Sequence, residues 1–181
     1  HFKEKHELEP LEHYEGLSIE LFVSRKRWII FAIYRPPSSP TQLFLNERSI
    51  RLSKAINRYD NIIVIGDINI DPRKTRADGP KLLEFCDVFS LTNLIKDDTR
   101  LTNMSMSSID VILTNRPRSF QKSSALSIGL SDCHKLIVTS MRSHLPRQSS
   151  KQIRYRSFRN FDADTYISDI SKINFNRAYS N

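Results

Sequence analysis

Cysteine is almost missing from the 181 residues: Cys86 and Cys133 are the only two. Two residues at that separation make neither a disulfide framework nor a metal-ligand spacing, so both are expected to be plain thiols in a reducing, nuclear or cytoplasmic setting. Long apolar runs are missing as well. None approaches the ~18 residues of a membrane span, so no membrane partner is expected. No signal-peptide pattern opens the chain, and no internal repeat recurs along it. The first residue is His1 and not Met, the expectation for a fragment or a processed product.

What is present is globular in kind: 39% hydrophobic and 27% charged residues, with a net charge of +8 and a sequence pI near 9.7. That balance favours an anionic partner. The charge is uneven. Residues 1–141 hold 20 Lys+Arg against 17 Asp+Glu, whereas residues 142–181 hold 8 against 3. Between Arg142 and Arg159 there are six basic residues and no acidic one. The stretch is Ser-rich and lacks apolar periodicity, which reads as a basic linker leaving a domain. It serves either as a solvated tail or as a contact to a polyphosphate backbone through residues such as Arg154 and Arg156.

Strand and helix patterns alternate along the rest. Gly16–Ser24 alternates, with Leu17, Ile19, Leu21 and Val23 on one side and Ser18 and Glu20 on the other, which predicts a half-buried strand. Arg27–Tyr34 is a continuous apolar run, hence a more buried strand. "RPPSSP" breaks the chain, and Ser39-Pro40 can open a helix whose Leu45, Leu52, Ile56 and Tyr59 share a face. "NIIVI" predicts a short buried strand that runs into Gly66, Asp67, Ile68 and Asn69. Asp78–Ser90 predicts a capped helix with Leu82, Leu83, Cys86 and Phe89 inward. Ser108–Asn115 and Lys135–Met141 predict strands, and Phe161–Ile173 a short helix beyond the linker. Interleaved elements of this kind predict a layered α/β fold with working residues at strand ends.

Polar residues stand at those ends: Tyr34, Asp67 with Asn69, Asp110, and Asp132 with His134. Carboxylates are hard oxygen ligands suited to Mg²⁺. A His beside a carboxylate can act as acid or base near neutral pH. Amide and phenol groups can donate to developing negative charge. Together they form a kit for hydrolysing a phosphoester. Singly, each has an ordinary structural use: Asp-x-Asn closes many turns, and a strand-end Tyr is more often packed than catalytic.

The ordered set "IFAIYRPP", "VIGDINID", "SSIDVIL" and "GLSDCHKLIV" resembles the endonuclease/exonuclease/phosphatase family, and more narrowly the endonuclease domain of non-LTR retrotransposons. The likeness runs from about residue 16 to residue 141. It implies a DNase I-like, two-sheet α/β sandwich that uses Mg²⁺ (or Mn²⁺) to cut a phosphodiester in DNA, with the element's RNA as a further partner. It also implies roles. Asp67 would orient or deprotonate the attacking water and lie by the metal with Asp132. Asn69 and Tyr34 would contact the phosphate, and His134 would hold it with Asp110 as carboxylate partner. Arg35 would reinforce the positive field. All of this requires the Asp67 carboxylate and the His134 imidazole to share one cleft.

Two departures from the family pattern stand out. Nothing before Tyr34 matches the family's early strands, which carry a catalytic Asn and a metal-binding Glu. "HFKEKHELEPLEHY" reads as a solvated charged segment. The expectation is therefore a domain lacking about its first third, inactive by itself, followed at residues 142–181 by a linker toward an absent reverse transcriptase. Cys133 separates Asp132 from His134, where most members have neighbours, so a bulge or loop must re-aim His134. The alternatives are a non-catalytic remnant that at most binds nucleic acid, and a phosphomonoesterase of the same fold.

Overall fold

The computed structural model describes residues 2–5 by backbone, and residues 12–75, 78–129, 131, 133–142 and 157–173. The chain divides into two compact units, His1–Leu145 and Pro146–Asn181. In chain order the first holds β1 (Phe2–Lys5), β2 (Glu15–Val23), β3 (Lys26–Tyr34), α1 (Thr41–Ile56), β4 (Asn61–Asp67) and α2 (Gly79–Val88). There follow the short β5 (Thr92–Asn93), β6 (Arg100–Leu101) and β7 (Met106–Ser107), then β8 (Asp110–Thr114), β9 (Phe120–Leu126) and β10 (Leu136–Met141). The second unit holds α3 (Ala163–Ser171), capped by the Asp162 carboxylate, which accepts from the Asp164 N–H.

Six strands form the main sheet in the order β1-β2-β3-β4-β8-β5, and β9–β10 and β6–β7 form two-stranded ribbons. The fold is a mixed α/β arrangement, as the alternating pattern predicts. Among the described strands of this sheet only β3 and β4 run parallel, with α1 as their crossover; the other pairs are antiparallel. The uninterrupted "NIIVI" run is explained by cores on both faces of β4. Ile62 and Val64 join Phe31, Phe44, Leu52, Leu82 and Val111 beneath the helices. Ile63 joins Trp28, Ile95, Ile112 and Phe120 on the opposite face, with Ile65, Ile137 and Met141 packed against them. In the first unit α1 and α2, the main sheet and the β9–β10 ribbon therefore stack as three layers.

Several expected faces differ in detail. In α1, Leu45 and Leu52 are buried, but Ile56 is 48% exposed. Arg48 is fully buried instead: its guanidinium lies 3.9 Å from the Phe31 ring centroid and donates to the Tyr14 hydroxyl at 3.0 Å. Two aromatic faces thus take the place of water around that cation. In α2, Phe85 turns inward and Leu83 outward. The Asp78 side chain makes no cap bond to the α2 backbone and instead accepts from Thr41 and Lys81. In β2, Ser18 stands opposite Phe31 and is buried, while Leu17 is 40% exposed. Phe2–Lys5, read from sequence as solvated and charged, forms the antiparallel partner of β2. Charge pattern alone overlooks it, since an edge strand needs no apolar run to satisfy its neighbour's backbone.

Glycine is required at one place that bears on the site. Gly66 has φ +144°, and a Cβ there would come within 1.8 Å of the Ile33 carbonyl oxygen on β3. No side chain fits, so the close β3–β4 approach just before Asp67 depends on its absence. Gly66→Ala is expected to cost about 3 kcal/mol or more, read as a lower urea midpoint with an unchanged slope. A change within about 0.5 kcal/mol would contradict this packing.

Candidate active site

Register builds the site. β4 runs parallel to β3 with Tyr34 beside Asp67, and antiparallel to β8 with Asp67 beside Asp110. Three chemistry-bearing residues, distant in sequence, thus stand in a row across one end of the sheet. A fourth arrives by another route. Residues 133–135 pair with residues 99–101: Leu101 N–H donates to Cys133 O at 2.8 Å, Lys135 N–H to Thr99 O at 2.7 Å, and His134 bridges Arg100. The chain bends at Cys133, where the Ser131 hydroxyl accepts from the backbone N–H groups of Cys133 and His134. The bend lies at the residue that separates Asp132 from His134 in the sequence. Both cysteines are free, and burial pushes the Cys86 thiol up to about 12, which makes it inert at neutral pH.

The result is a compact cluster. One ligand atom from each of Asp67, Asp110 and His134 lies within 4.8 Å of the others. The His134 Nδ1 is 3.3 Å from Asp110 Oδ2, and both side chains are part-buried. Burial pushes the Asp67 carboxyl above its usual range; the Asn69 N–H opposes the rise, Asp110 adds to it, and His134 and Arg100 oppose it. Two carboxylates this close repel by roughly 3 kcal/mol or more at an effective dielectric of about 20. Two acids and an imidazole converging on one point are a fitting donor set for a divalent cation, whose charge reverses that repulsion.

The loop after Asp67 is fixed tightly. Asn69 sits in the left-handed region at φ +51°, its N–H closes a turn onto Asp67 Oδ1 at 3.0 Å, and its amide donates to Arg35 O at 2.9 Å. Asp-x-Asn thus closes a turn here, and its acid also belongs to the three-residue cluster. Tyr34 is 43% exposed beside Asp67. Arg35, expected to face a nucleic acid, is instead 3% exposed. Its guanidinium donates to the carbonyls of Ile68 and Ser39 and to Thr41, so it acts as a brace under the loop. Asp132, Arg154 and Arg156 lie outside the described residues.

Sequence reading overlooked three supports. Thr99 is fully buried, and its hydroxyl accepts from the N–H groups of Ile109 and Asp110 at 3.1 and 3.0 Å, which sets the start of β8. Asp71 accepts from Ser108 N–H at 3.1 Å and from Arg73, which also reaches Asp98 at 2.7 Å. Burial pushes the Asp71 carboxyl up, but the Arg73 side chain and the Arg73 and Ser108 N–H groups outweigh it and hold it below its usual range. Arg100 bridges His134 and favours the charged form of Asp67. "DDTRLTN" carries no periodic signal that would mark Thr99 or Arg100; they matter through partners more than thirty residues or one strand away.

Known structures place this architecture. The chain is similar to the endonuclease domain of TRAS1, a telomere-specific non-LTR retrotransposon, at 15% identity and a TM-score of 0.60, over 70% of this chain and 63% of that one. It is also similar to an endonuclease/exonuclease/phosphatase family protein from Leptotrichia buccalis C-1013-b, at 14% identity and a TM-score of 0.51, over 70% and 52% respectively. The fold is therefore of the DNase I-like endonuclease/exonuclease/phosphatase class, and the chain spans less than two thirds of either of these structures. Within that class it belongs to the endonuclease-reverse transcriptase family, whose profile matches residues 28–141. No curated protein matches the chain. No described helix is long and apolar enough to cross a membrane.

Part-buried Asp67 and buried Asp71 have opposite pH signatures. The raised folded value of Asp67 means that its contribution to stability is complete below the unfolded value of about 3.9 and is lost as pH rises through the folded one. The lowered folded value of Asp71 means that its contribution is present above the unfolded value and is lost on acidification through the folded one. In EDTA at pH 7, Asp67→Asn is expected to be at least as stable as the parent. Asp71→Asn is expected to be about 1–3 kcal/mol less stable, a deficit that closes toward pH 3. Urea titrations across pH read both, and a reversed order of the two variants would contradict the assignment.

Proposed function

We propose that the cluster at Asp67, Asp110 and His134 is the catalytic centre of a metal-dependent DNA endonuclease that nicks target DNA to supply a 3′-hydroxyl for reverse transcription. The observation that carries this reading is the convergence of two carboxylates and an imidazole within 4.8 Å in a chain of the endonuclease-reverse transcriptase family. Asp67 and Asp110 would hold Mg²⁺ or Mn²⁺, with Asp132 as a further ligand. Such an ion, when bound, supplies Lewis-acid stabilisation of charge on the phosphate.

The chain's own groups do the rest. Asp67, at the end of β4 and within the cluster, would orient the attacking water and accept its proton. Asp110 holds His134 through Nδ1, which turns the other ring nitrogen outward to donate to the scissile phosphate. The part-exposed Tyr34 hydroxyl and the second amide hydrogen of Asn69 are further donors to developing charge. The basic segment carrying Arg154 and Arg156 supports the DNA partner by charge. Arg35 acts indirectly, since the loop it braces carries Asp67 and Asn69.

Nicking of supercoiled plasmid by the full-length protein tests this. Cleavage is expected to require Mg²⁺ or Mn²⁺ and to stop with EDTA. Asp67→Ala and His134→Ala are each expected to lower the rate by about a hundredfold or more. Undiminished nicking by both variants would remove the cluster from the reaction, and release of inorganic phosphate without nicking would replace the reading with a phosphomonoesterase.

A further inference from the structure

The opposite end of the main sheet carries a second concentration of charge. β3 runs from Lys26 to Tyr34, so Lys26 lies roughly 26 Å from the catalytic end by strand rise alone. There the β2–β3 turn, the start of β4 and the residue after Asn115 frame an open cleft of about 460 Å³, lined by Phe22, Arg25, Lys26, Arg27, Asp60 and Arg116. Four cations face one carboxylate. All four are exposed, and Phe22 is 51% exposed among them.

We propose that this end of the sheet is a second nucleic-acid surface, which holds a single-stranded segment by its phosphates at Arg25, Lys26 and Arg116 and stacks a base on Phe22.

The cations are arranged rather than scattered. Arg27 pairs with Glu20 at 3.3 Å and lies 5.1 Å from the Tyr59 ring centroid, and Arg116 Nε donates to Asp60 O at 3.1 Å. Both stems are thus pre-oriented at the cleft. No carboxylate pairs with Arg25 or Lys26 among the described residues. The turn itself adds a second observation. Ser24 and Arg25 both have positive φ, +50° and +63°, in a two-residue hairpin where Asn-Gly is the favoured pair. An Arg is held there in a conformation that glycine would take without strain, and strain retained beside a cationic cleft points to use of the side chain. An exposed aromatic among phosphate-binding cations is the combination that grips single strands without sequence preference. In a duplex the stacked bases leave no face for Phe22. No residue of this cleft belongs to the Asp67 cluster, so binding here is read separately from cleavage there.

Fluorescence anisotropy in EDTA, where no cleavage intervenes, tests the proposal with the full-length protein and labelled dT or rU oligonucleotides and a duplex control. Arg25→Glu with Lys26→Glu is expected to weaken binding of both single strands roughly tenfold at low salt and to flatten the salt dependence by roughly 0.7 per lost contact. Phe22→Ala is expected to weaken single-strand binding and leave the duplex unchanged. Arg25→Gly separates binding from folding: it is expected to raise the thermal midpoint while lowering affinity. The tighter of dT and rU identifies the strand. Single-strand affinities unchanged by these substitutions would overturn the proposal and leave the binding to other basic residues, such as those after residue 142. Equal losses for duplex and single strand with Phe22→Ala would overturn the stacking.

Discussion

Asp67 stands beside Asp110 because β4 and β8 are hydrogen-bonded with those residues opposite each other, and Tyr34 stands beside Asp67 because β3 and β4 are in parallel register. A slip of one residue in either pairing would turn an acid to the other face of the sheet. Register in turn is held by burial on both faces of β4. Ile62 and Val64 belong to one core and Ile63 to the other, so both faces of the strand are anchored by packing. Gly66 permits the close approach at the last step. The chemistry at the sheet end is therefore a consequence of how the middle of the sheet packs.

The cluster so formed is electrostatically costly without a counter-charge. Asp67 and Asp110 repel, and burial weakens the solvation of Asp67. His134 and Arg100 offset part of this, and a divalent ion would offset more. The supports are built to resist the strain. Thr99 fixes the backbone N–H of Asp110, Asp71 fixes that of Ser108, and Arg35 ties the carbonyls of Ile68 and Ser39 beneath the loop. Each support is buried and hydrogen-bonded, so it holds a backbone position without itself reaching the cleft.

The strand ends were legible in sequence because a buried run that stops on an acid has a local signature. "NIIVIGD" carries an acid at the end of its strand and "SSIDVILT" an acid at the start of its own. The supports were not legible. Thr99 acts through two N–H groups ten and eleven residues on, and Arg48 lies against the rings of Tyr14 and Phe31, neither of which is near it in sequence. Periodicity does not separate Leu83 from Phe85, because Leu82 with Cys86 and Phe89 fits a helical stripe with either neighbour. Only packing against α1 and the sheet decides the helix's rotation. Arg35 was read as a surface cation from its place after Tyr34, yet the turn that follows folds carbonyl oxygens around it.

The central claim is that Asp67 and Asp110, set side by side by strand register, hold one cation next to His134, which the bend at Cys133 brings to the same cluster. Titration with Mn²⁺ followed by NMR tests it most directly, because paramagnetic broadening falls steeply with distance from the bound ion. The account expects broadening centred on the resonances of Asp67, Asp110 and His134, abolished in Asp110→Ala. Broadening centred elsewhere, or left unchanged in that variant, would contradict it.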